Sequence, residues 1–380
     1  MALDSETLEQ TLEAVRRFVA GRLRPLERQV AEEDEVPEAV IEEMRALGLF
    51  GLSIPTGYGG LGLTMAEECE VVMAFGWTSP AFRSVFGTNV GIGSQAIVMG
   101  GSDEQKARWL PGIAVGEIVT SFALTESVAG SDAAAIATRA RRDGAHYLLT
   151  GEKVFITNAD KASLFTVIAR ADGGIVALLV PSDSEGLVIG PPERKMGQQG
   201  AHVCAIAFDE VRVPIENRIG AEGEGFNIAM RVLDRGRIHI AALCCGIAER
   251  LIEDMVGYAS ERRQFGRPIA DFQLIQALIA DSVTEAMAAR ALVFESARQR
   301  DAGEPITRAA AAAKYFASEM VGRVADRAVQ VHGGAGYIAD HGVERFYRDV
   351  RLFRIYEGTS QIQQLVIARE VLRAHGHGKR

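Results

Sequence analysis

The chain has 380 residues, which at about 150 per domain allows two or three modules and a sizeable buried core. Hydrophobic residues are 48% and charged residues 24%, a globular balance that excludes wholesale disorder. The net charge of −9 is a poor match for a phosphate backbone, so nucleic acid is not an expected partner.

Residues 1–118 read as an all-helical domain. Leu8, Leu12, Val15, Phe18 and Val19 recur at helical spacing. Pro25 and Pro37 punctuate it, and a second pattern runs through Val40, Ile41, Met44 and Leu47, with Gly48 near its end. The glycine-rich stretch 55–62 is too irregular for helix or strand. Further helical patterns cover 64–75 and 85–99.

Residues 119–225 read as an antiparallel β domain, a small barrel or sandwich. Runs 138–142 and 145–150 flank Asp143-Gly144, a hairpin signal. Runs 164–170 and 175–180 flank Asp172-Gly173-Gly174, a second one, and 205–208 is a further short strand. Residues 226–380 read as four long helices joined by turns at 265–268, 303–305, 333–336 and Gly358, a four-helix bundle. Ile275, Leu278, Ile279, Val283, Ala286 and Met287 form one stripe, and the alanine run 309–313 belongs to another helix. The tail, 375–380, is expected to fray. The class is α+β, mostly α.

Strands and helices do not alternate, and neither G-x-G-x-x-G after a strand nor G-x-x-x-x-G-K-[ST] occurs. A Rossmann dehydrogenase and a P-loop enzyme are therefore not expected. Four cysteines without a C-x-x-C and seven scattered histidines suggest neither a disulfide framework nor a metal site. Residues 1–10 carry Asp4, Glu6 and Glu9 and do not read as a signal peptide. No apolar run reaches the ~18 residues of a membrane span, and a cytoplasmic, reducing location is expected.

The segment from Ala123 to Asp132, ALTESVAGSD, is dominated by small residues and hydroxyls. Its backbone N–H groups and the Thr125 and Ser131 hydroxyls suit a polar, phosphate-bearing ligand. A linker with local Ser and Asp turns is an equal reading of the residues alone. Phe155-Ile156-Thr157-Asn158 closes a strand pattern, where a flat aromatic and a hydroxyl suit the face and edge of a ring. Arg262-Arg263-Gln264-Phe265-Gly266 follows the helical residues Leu251, Ile252, Met255 and Val256; on its own it reads as arginines complementing a helix dipole. Gln330-Val331-His332-Gly333-Gly334 reads as a glycine helix end. Tyr356-Glu357-Gly358-Thr359-Ser360-Gln361 precedes the last helix, and Ser360 to Gln363 fits a capping box. Glu357 then lies in a short loop at a helix N-terminus, where an acidic residue also suits the dipole. Asp234 and Arg237, near a helix start, read as an exposed i,i+3 ion pair.

These five motifs, in this order and across essentially the whole chain, resemble the acyl-CoA dehydrogenase family. The resemblance implies a helical, then β, then four-helix-bundle fold, in agreement with the patterns above. It implies FAD as cofactor, an acyl-CoA substrate, an electron-transfer flavoprotein as partner and a homotetramer. It places FAD against Phe122, Leu124, Thr125, Gly130 and Ser131, with Phe155 stacking on the flavin and Thr157 bonding its ring. Many relatives have Trp where Phe155 stands. Arg262 reaches the FAD pyrophosphate of a neighbouring subunit, joined by Gln264, Phe265 and Gln273. Gln330, Gly333 and Gly334 approach the adenosine half, and Thr359 and Gln361 also belong to the FAD site. The acyl-CoA meets Ser131, Asp234, Arg237, Tyr356 and Gly358.

Glu357 is the implied catalytic base. It takes the α-proton of a saturated acyl-CoA while the β-hydride goes to flavin N5, giving the trans-2-enoyl-CoA. Hydrogen bonds from the Glu357 N–H and a flavin ribityl hydroxyl stabilise the thioester oxygen. An oxidase or a desulfinase-like lyase on the same scaffold is the alternative, although an intact Glu357 argues against a lyase that dispenses with the base. Some relatives carry the base on the helix of Asp234 and Arg237, where this chain has Gly236. After Lys195-Met196-Gly197, relatives show a Ser and, two places on, a Thr; this chain has Ala201 and Val203 with His202 between. Whether burial or the helix N-terminus sets the acidity of Glu357 is open at this level.

Overall fold

The computed structural model describes residues 4–377. Helix α1 (Ser5–Phe18) is capped by Asp4, whose side chain accepts from the Thr7 N–H at 2.9 Å. The chain does not break at Pro25. It runs through a π-turn and a 3-10 turn into α2 (Glu27–Glu33), with Pro25 early in the 3-10 turn, where its missing N–H is harmless. Helix α3 (Glu38–Ala46) ends near Gly48, which takes the left-handed φ of 72°. Helix α4 (Met65–Phe75) opens with a Thr64/Glu67 capping box.

The pattern at 85–99 is two helices, α5 (Pro80–Thr88) and α6 (Gln95–Gly100), joined by a π-turn over 89–93. Residues 80–97 are buried almost all round, so their apolar pattern has no clear phase in which the extra residue of a π-turn could show. Helix α7 (Asp103–Ala114) was not anticipated, although its Ser102/Gln105 capping box is written in the sequence.

Eight strands follow: β1 (Thr120–Ala123), β2 (Arg139–Asp143), β3 (His146–Thr157), β4 (Leu164–Ala171), β5 (Gly174–Pro181), β6 (Leu187–Ile189), β7 (Val203–Pro214) and β8 (Arg218–Ile219). Both anticipated hairpins form, β2–β3 and β4–β5. The sheet order is β6-β7-β3-β2-β4-β5-β8, with β1 paired to β4. Most pairings are antiparallel as expected, but β1 and β2 each run parallel to β4. Side-chain alternation records which face is buried, not strand direction, so the pattern carried no sign of this. Tyr147, Leu149, Phe165, Val167, Leu178 and Ile206 fill the core on one face.

The last part comprises α8 (Gly225–Glu261), a small hairpin of β9 (Arg263–Gln264) and β10 (Arg267–Pro268), α9 (Gln273–Asp301), α10 (Thr307–His332), α11 (Val343–Val350) and α12 (Ser360–Ala374). Helices α8, α9, α10 and α12 pack as the bundle around an alanine-rich core that includes Ala241, Ala289, Ala313, Ala317 and Ala328, and α11 is an unanticipated short addition. Of the tail, 375–377 follow the helix as a turn; 1–3 and 378–380 lie outside the described residues.

Helix α8 ties the molecule together. Its first turns place Ile228, Ala229 and Val232 against Ala177, Leu179 and Ile219 of the sheet. Further on, Gly246 sits on α4, where a Cβ would overlap the Met73 backbone. At 37 residues, or roughly 55 Å, α8 spans all three parts, and Asp234 to Arg237 lie in its third and fourth turns where they meet. No helix among the described residues is long and apolar enough to cross a membrane.

Candidate active site

A cleft of about 1100 Å³ opens at this junction. Its walls come from α5 (Arg83, Ser84, Gly87, Thr88), the loop after β1, the end of β3, α8 and the turn before α12. Among the anticipated residues, Phe122, Leu124, Thr125, Gly130, Ser131, Phe155, Thr157, Asp234, Arg237, Tyr356, Glu357 and Gly358 line it.

The loop after β1 is held rigidly. Fully buried Lys153 donates to the Leu124 carbonyl at 2.9 Å and to Glu126 at 2.7 Å, and Glu126 also accepts the Ala137 and Thr138 N–H groups at 2.5 and 3.0 Å. A buried ion pair with these added hydrogen bonds fixes the loop's path while Gly130 and Ser131 stay exposed. Phe155 sits in a bulge between β3 and β7 with φ 59° and is 66% exposed. The bulge turns this aromatic out of the sheet alternation and into the cleft. An exposed phenyl ring, the Thr157 hydroxyl and a glycine-bearing loop in one cleft of this volume fit a flavin and the start of its phosphate chain.

Glu357 takes φ 53° and Gly358 φ 90°, two consecutive left-handed residues before α12. For a glutamate this conformation is strained, and the surroundings hold it. The Glu357 carbonyl accepts from Arg237 Nε at 3.2 Å and Gln363 Nε2 at 3.0 Å. The Gly358 carbonyl accepts from Gln363 Nε2 at 3.0 Å and from buried Lys314 Nζ at 2.7 Å. The side chain points over Gly236: a Cβ built there would lie 2.5 Å from Glu357 Oε2. That oxygen is buried and has no hydrogen-bond partner. Burial raises the Glu357 pKa against the pull of Arg83, Lys314 and Arg237. Burial likewise lowers Lys314 to about 8, against the pull of Glu357.

Two local readings are corrected. Asp234 and Arg237, in the third and fourth turns of α8, are buried rather than an exposed pair. Arg237 Nη1 donates to Asp234 at 2.6 Å, and Asp234 also accepts from Thr307 at 2.6 Å, so the pair braces the Glu357 turn from inside. The cap of α12 is Thr359, whose hydroxyl accepts from the Ile362 N–H at 3.3 Å. Ser360 donates to Glu319 instead, and Gln363 serves the two carbonyls above. The cap was misplaced by one residue because Thr359 and Ser360 offer the same hydroxyl chemistry, and with Ile362 three residues on no reciprocal box forms.

Arg262, Gln264, Phe265, Gln273, Gln330, Gly333, Gly334, Thr359 and Gln361 do not line this cleft. Arg262 to Phe265, Gln273, Gln330, Gly333 and Gly334 are exposed at the ends of α8 and α10 and the start of α9. Those ends are joined by a stacked Tyr258–His332 pair. Apolar side chains stand out around them: Phe265 is 93% and Tyr337 83% exposed. Ala201 and Val203 line the cleft, while His202 turns away to Asp160 Oδ2 at 2.6 Å and the Asp34 carbonyl at 2.7 Å. Ala201 and Val203 thus put no side-chain hydroxyl on this wall, and His202 clamps the middle part to the first.

Two side chains at the site escaped the sequence reading, Arg83 and Lys314, and a third, Gln363, was read only as a capping partner. Lys314 had a signal, a lone cation at the end of an alanine run on a buried helix face. Arg83 had one in the glycines four and eight residues after it.

Three family profiles match in chain order: "Acyl-CoA dehydrogenase, N-terminal domain" over residues 5–117, "middle domain" over 121–211 and "C-terminal domain" over 223–372. The chain is 41% identical to a probable acyl-CoA dehydrogenase, YngJ, of Bacillus subtilis, covering 97% of this chain and 99% of that protein. It is 39% identical to CarC, a subunit of the caffeyl-CoA reductase–Etf complex of Acetobacterium woodii, over 91% of this chain and 92% of that one. The crystal structure of an acyl-CoA dehydrogenase complexed with FAD from Bacillus anthracis superposes with a TM-score of 0.92 at 32% identity, covering 99% of this chain and 68% of that one.

Proposed function

The chain belongs to the acyl-CoA dehydrogenase family of oxidoreductases, and on that premise we propose that it binds FAD and a CoA thioester in the cleft and oxidises a saturated acyl-CoA to the trans-2-enoyl-CoA. The observation that carries this reading is the buried, unpartnered Oε2 of Glu357, held over Gly236 in the same cleft as Phe155 and Thr157.

Glu357 takes the α-proton. Its raised pKa makes it a stronger base than a solvated glutamate, which narrows the gap to a weakly acidic C–H. Arg83, Lys314 and Arg237 keep the ionised form accessible despite burial. The strained turn, gripped from α8, α10 and α12, fixes the backbone from which the carboxylate reaches into the cleft. FAD, when bound, supplies the acceptor for the hydride that leaves the β-carbon. Phe155 and Thr157 would hold its ring, and the loop from Leu124 to Ser131 would hold the start of its phosphate chain.

The same residues serve the reverse reaction, so the relative named as a reductase subunit needs no other base. We place this chain in the oxidising direction, with an electron-transfer flavoprotein as acceptor. Anaerobic mixing with straight- and branched-chain acyl-CoAs tests it: the yellow protein should bleach with at least one of them and recover its colour with an electron-transfer flavoprotein. Recovery at a similar rate with oxygen alone would make it an oxidase, and a protein that binds no FAD would end the proposal.

The exposed set at the bundle end reads as the half of the FAD site given to a neighbouring subunit of a homotetramer. Arg262→Ala is then expected to weaken FAD retention about tenfold to a hundredfold, the worth of a charge-assisted contact to pyrophosphate. FAD content after dialysis measures it, and unchanged occupancy would refute the cross-subunit contact.

A further inference from the structure

The cleft wall formed by Lys195, Gln198, Ala201 and Val203 belongs to two parts of the chain at once. Its loop, which leads into β7, leans on the first part. Gly200 takes φ 89°, and a Cβ there would stand 2.5 Å from Val30 Cγ1 of α2. Ala201 is buried in the core of the first part. The Gly200 N–H donates to Asp34 Oδ1 at 2.6 Å. On the other side, the His202 carbonyl accepts the Asn158 N–H at 2.9 Å, one residue beyond Thr157. Asn158 Nδ2 in turn donates at 2.8 Å to the carbonyl of Ser84, a further cleft residue.

His202 fastens this wall through both of its ring nitrogens. Nδ1 lies 2.6 Å from Asp160 Oδ2, and Nε2 lies 2.7 Å from the Asp34 carbonyl oxygen. A carbonyl oxygen only accepts, and so does an ionised carboxylate. A neutral imidazole carries one N–H and one lone pair, so it satisfies one of these oxygens and turns a lone pair on the other. The imidazolium donates to both. The two contacts together are therefore those of a charged ring.

The surrounding charges favour that form. Asp34 ends α2 in the left-handed conformation, with φ 53°, and Asp160 follows β3. Of the neighbouring cations, Lys161 pairs with Glu35 at 3.1 Å, and Lys195 Nζ stands 3.7 Å from Asp34 Oδ1, too far for a hydrogen bond. Burial opposes a charge on His202, but the bonds to Asp160 and to the Asp34 carbonyl outweigh it and hold the pKa above the ordinary 6.5. The folded state thus binds this proton more tightly than the unfolded chain. Its contribution to stability is complete below 6.5 and is lost as pH rises through the folded pKa.

We propose that His202 is a positioning residue that works as a proton-operated latch: charged, it pins the cleft wall to the end of α2, and on losing a proton it loosens that wall and weakens the binding of the CoA thioester. On deprotonation one of its two bonds becomes a lone pair set against an oxygen. The loop then keeps only the Gly200 N–H and the longer Lys195 contact to Asp34. The turn of Glu357 is gripped from α8, α10 and α12, and no partner of the His202 ring lies on these helices, so proton abstraction keeps its rate. The pH profile then has two limbs of separate origin. The ratio kcat/KM climbs as Glu357 ionises and falls as His202 loses its proton, and the fall lies in KM, not in kcat.

The effect on affinity rests on the acyl-CoA reading of the site, and the experiment separates the two. The holoenzyme is taken through a pH series on both sides of neutrality. Imidazole NMR signals, with His202 identified by its loss in His202→Gln, give the titration of the ring. Calorimetry gives Kd for S-butyl-CoA, a thioether that is not oxidised, and anaerobic bleaching with a reactive acyl-CoA gives kcat and KM. The His202 ring should titrate above 6.5. Through that pH, Kd and KM should rise about threefold to tenfold, the net worth of one hydrogen bond, while kcat does not fall. His202→Gln can donate to one of the two oxygens only, so its Kd should sit at the high value throughout. Asp160→Asn removes the carboxylate and should move the rise to lower pH. A ring that titrates below 6.5, a wild-type Kd without the rise, a rise that survives in His202→Gln, or a fall in kcat instead overturns the latch. Failure to bind or bleach with any thioester at any pH overturns the acyl-CoA reading and the effect on affinity with it. The NMR titration and thermal melts over the same series then still decide whether the charged clamp exists. If His202→Gln does not fold, the wild-type curves and Asp160→Asn decide.

Discussion

Glu357→Gln is expected to give a folded protein that binds FAD normally and turns over at least about a thousandfold more slowly, within the range a positioned general base contributes. The substitution keeps the shape of the side chain and its strained turn, whose grip comes from Arg237, Gln363 and Lys314 acting on backbone carbonyls. It should not unfold the protein. Burial raises the Glu357 pKa, so the neutral form is the one this place favours, and Gln is neutral. The sign of the pH effect follows. Proton abstraction needs the carboxylate, so wild-type kcat/KM should climb with pH through a value above the ordinary glutamate value of 4.5. The folded state binds this proton more tightly than the unfolded chain does, so the group's contribution to stability is present at low pH and lost as pH rises through the folded pKa. Glu357→Gln should remove both dependences. Anaerobic bleaching rates and thermal melts over a pH series measure them; a variant that bleaches at the wild-type rate would show that another group takes the proton.

Gly236→Ala should separate position from chemistry. A methyl at 236 would stand 2.5 Å from Glu357 Oε2 and 2.8 Å from Ile92 Cγ2. The carboxylate is the movable end of a flexible side chain and should swing aside. The fold should survive, and the exchange of Gly for Ala within a helix tends to stabilise by up to ~1 kcal/mol. The base, however, would be displaced by about an ångström, and a misplacement of that size costs roughly a hundredfold in rate. An unchanged or higher melting temperature with kcat reduced to that extent is the expected pair of results. Full activity would mean that the carboxylate does not work from above Gly236. The same geometry explains why a base on α8 and a base at 357 are alternatives: a side chain at 236 would occupy the space that the Glu357 carboxylate fills.

Much of this was legible without coordinates. The helical patterns through α1, α3 and α4, both hairpins of the sheet and the turns between bundle helices follow from apolar period and glycine placement, which are local properties of the chain. Phe122, Leu124, Thr125, Gly130 and Ser131, with Phe155, Thr157 and Glu357, do gather in one cleft. Other features could not be read. The π-turn at 89–93 lies where nearly every residue is buried, so no apolar phase records it, and parallel pairing on β4 leaves alternation intact. Asp234 and Arg237 looked like a surface pair because i,i+3 spacing says nothing about what another helix lays over them.

By itself, then, the sequence determined which residue types face inward, where the chain turns and which short motifs lie in which order, because each depends on neighbours within a few positions. The tertiary structure alone decided the electrostatics of the site. Burial of Glu357 and the cations of α5, α8 and α10 around it bring together residues far apart in sequence. The charge a carboxylate carries depends on its surroundings in space, and those exist only once α8 has packed against α4, α5 and α10.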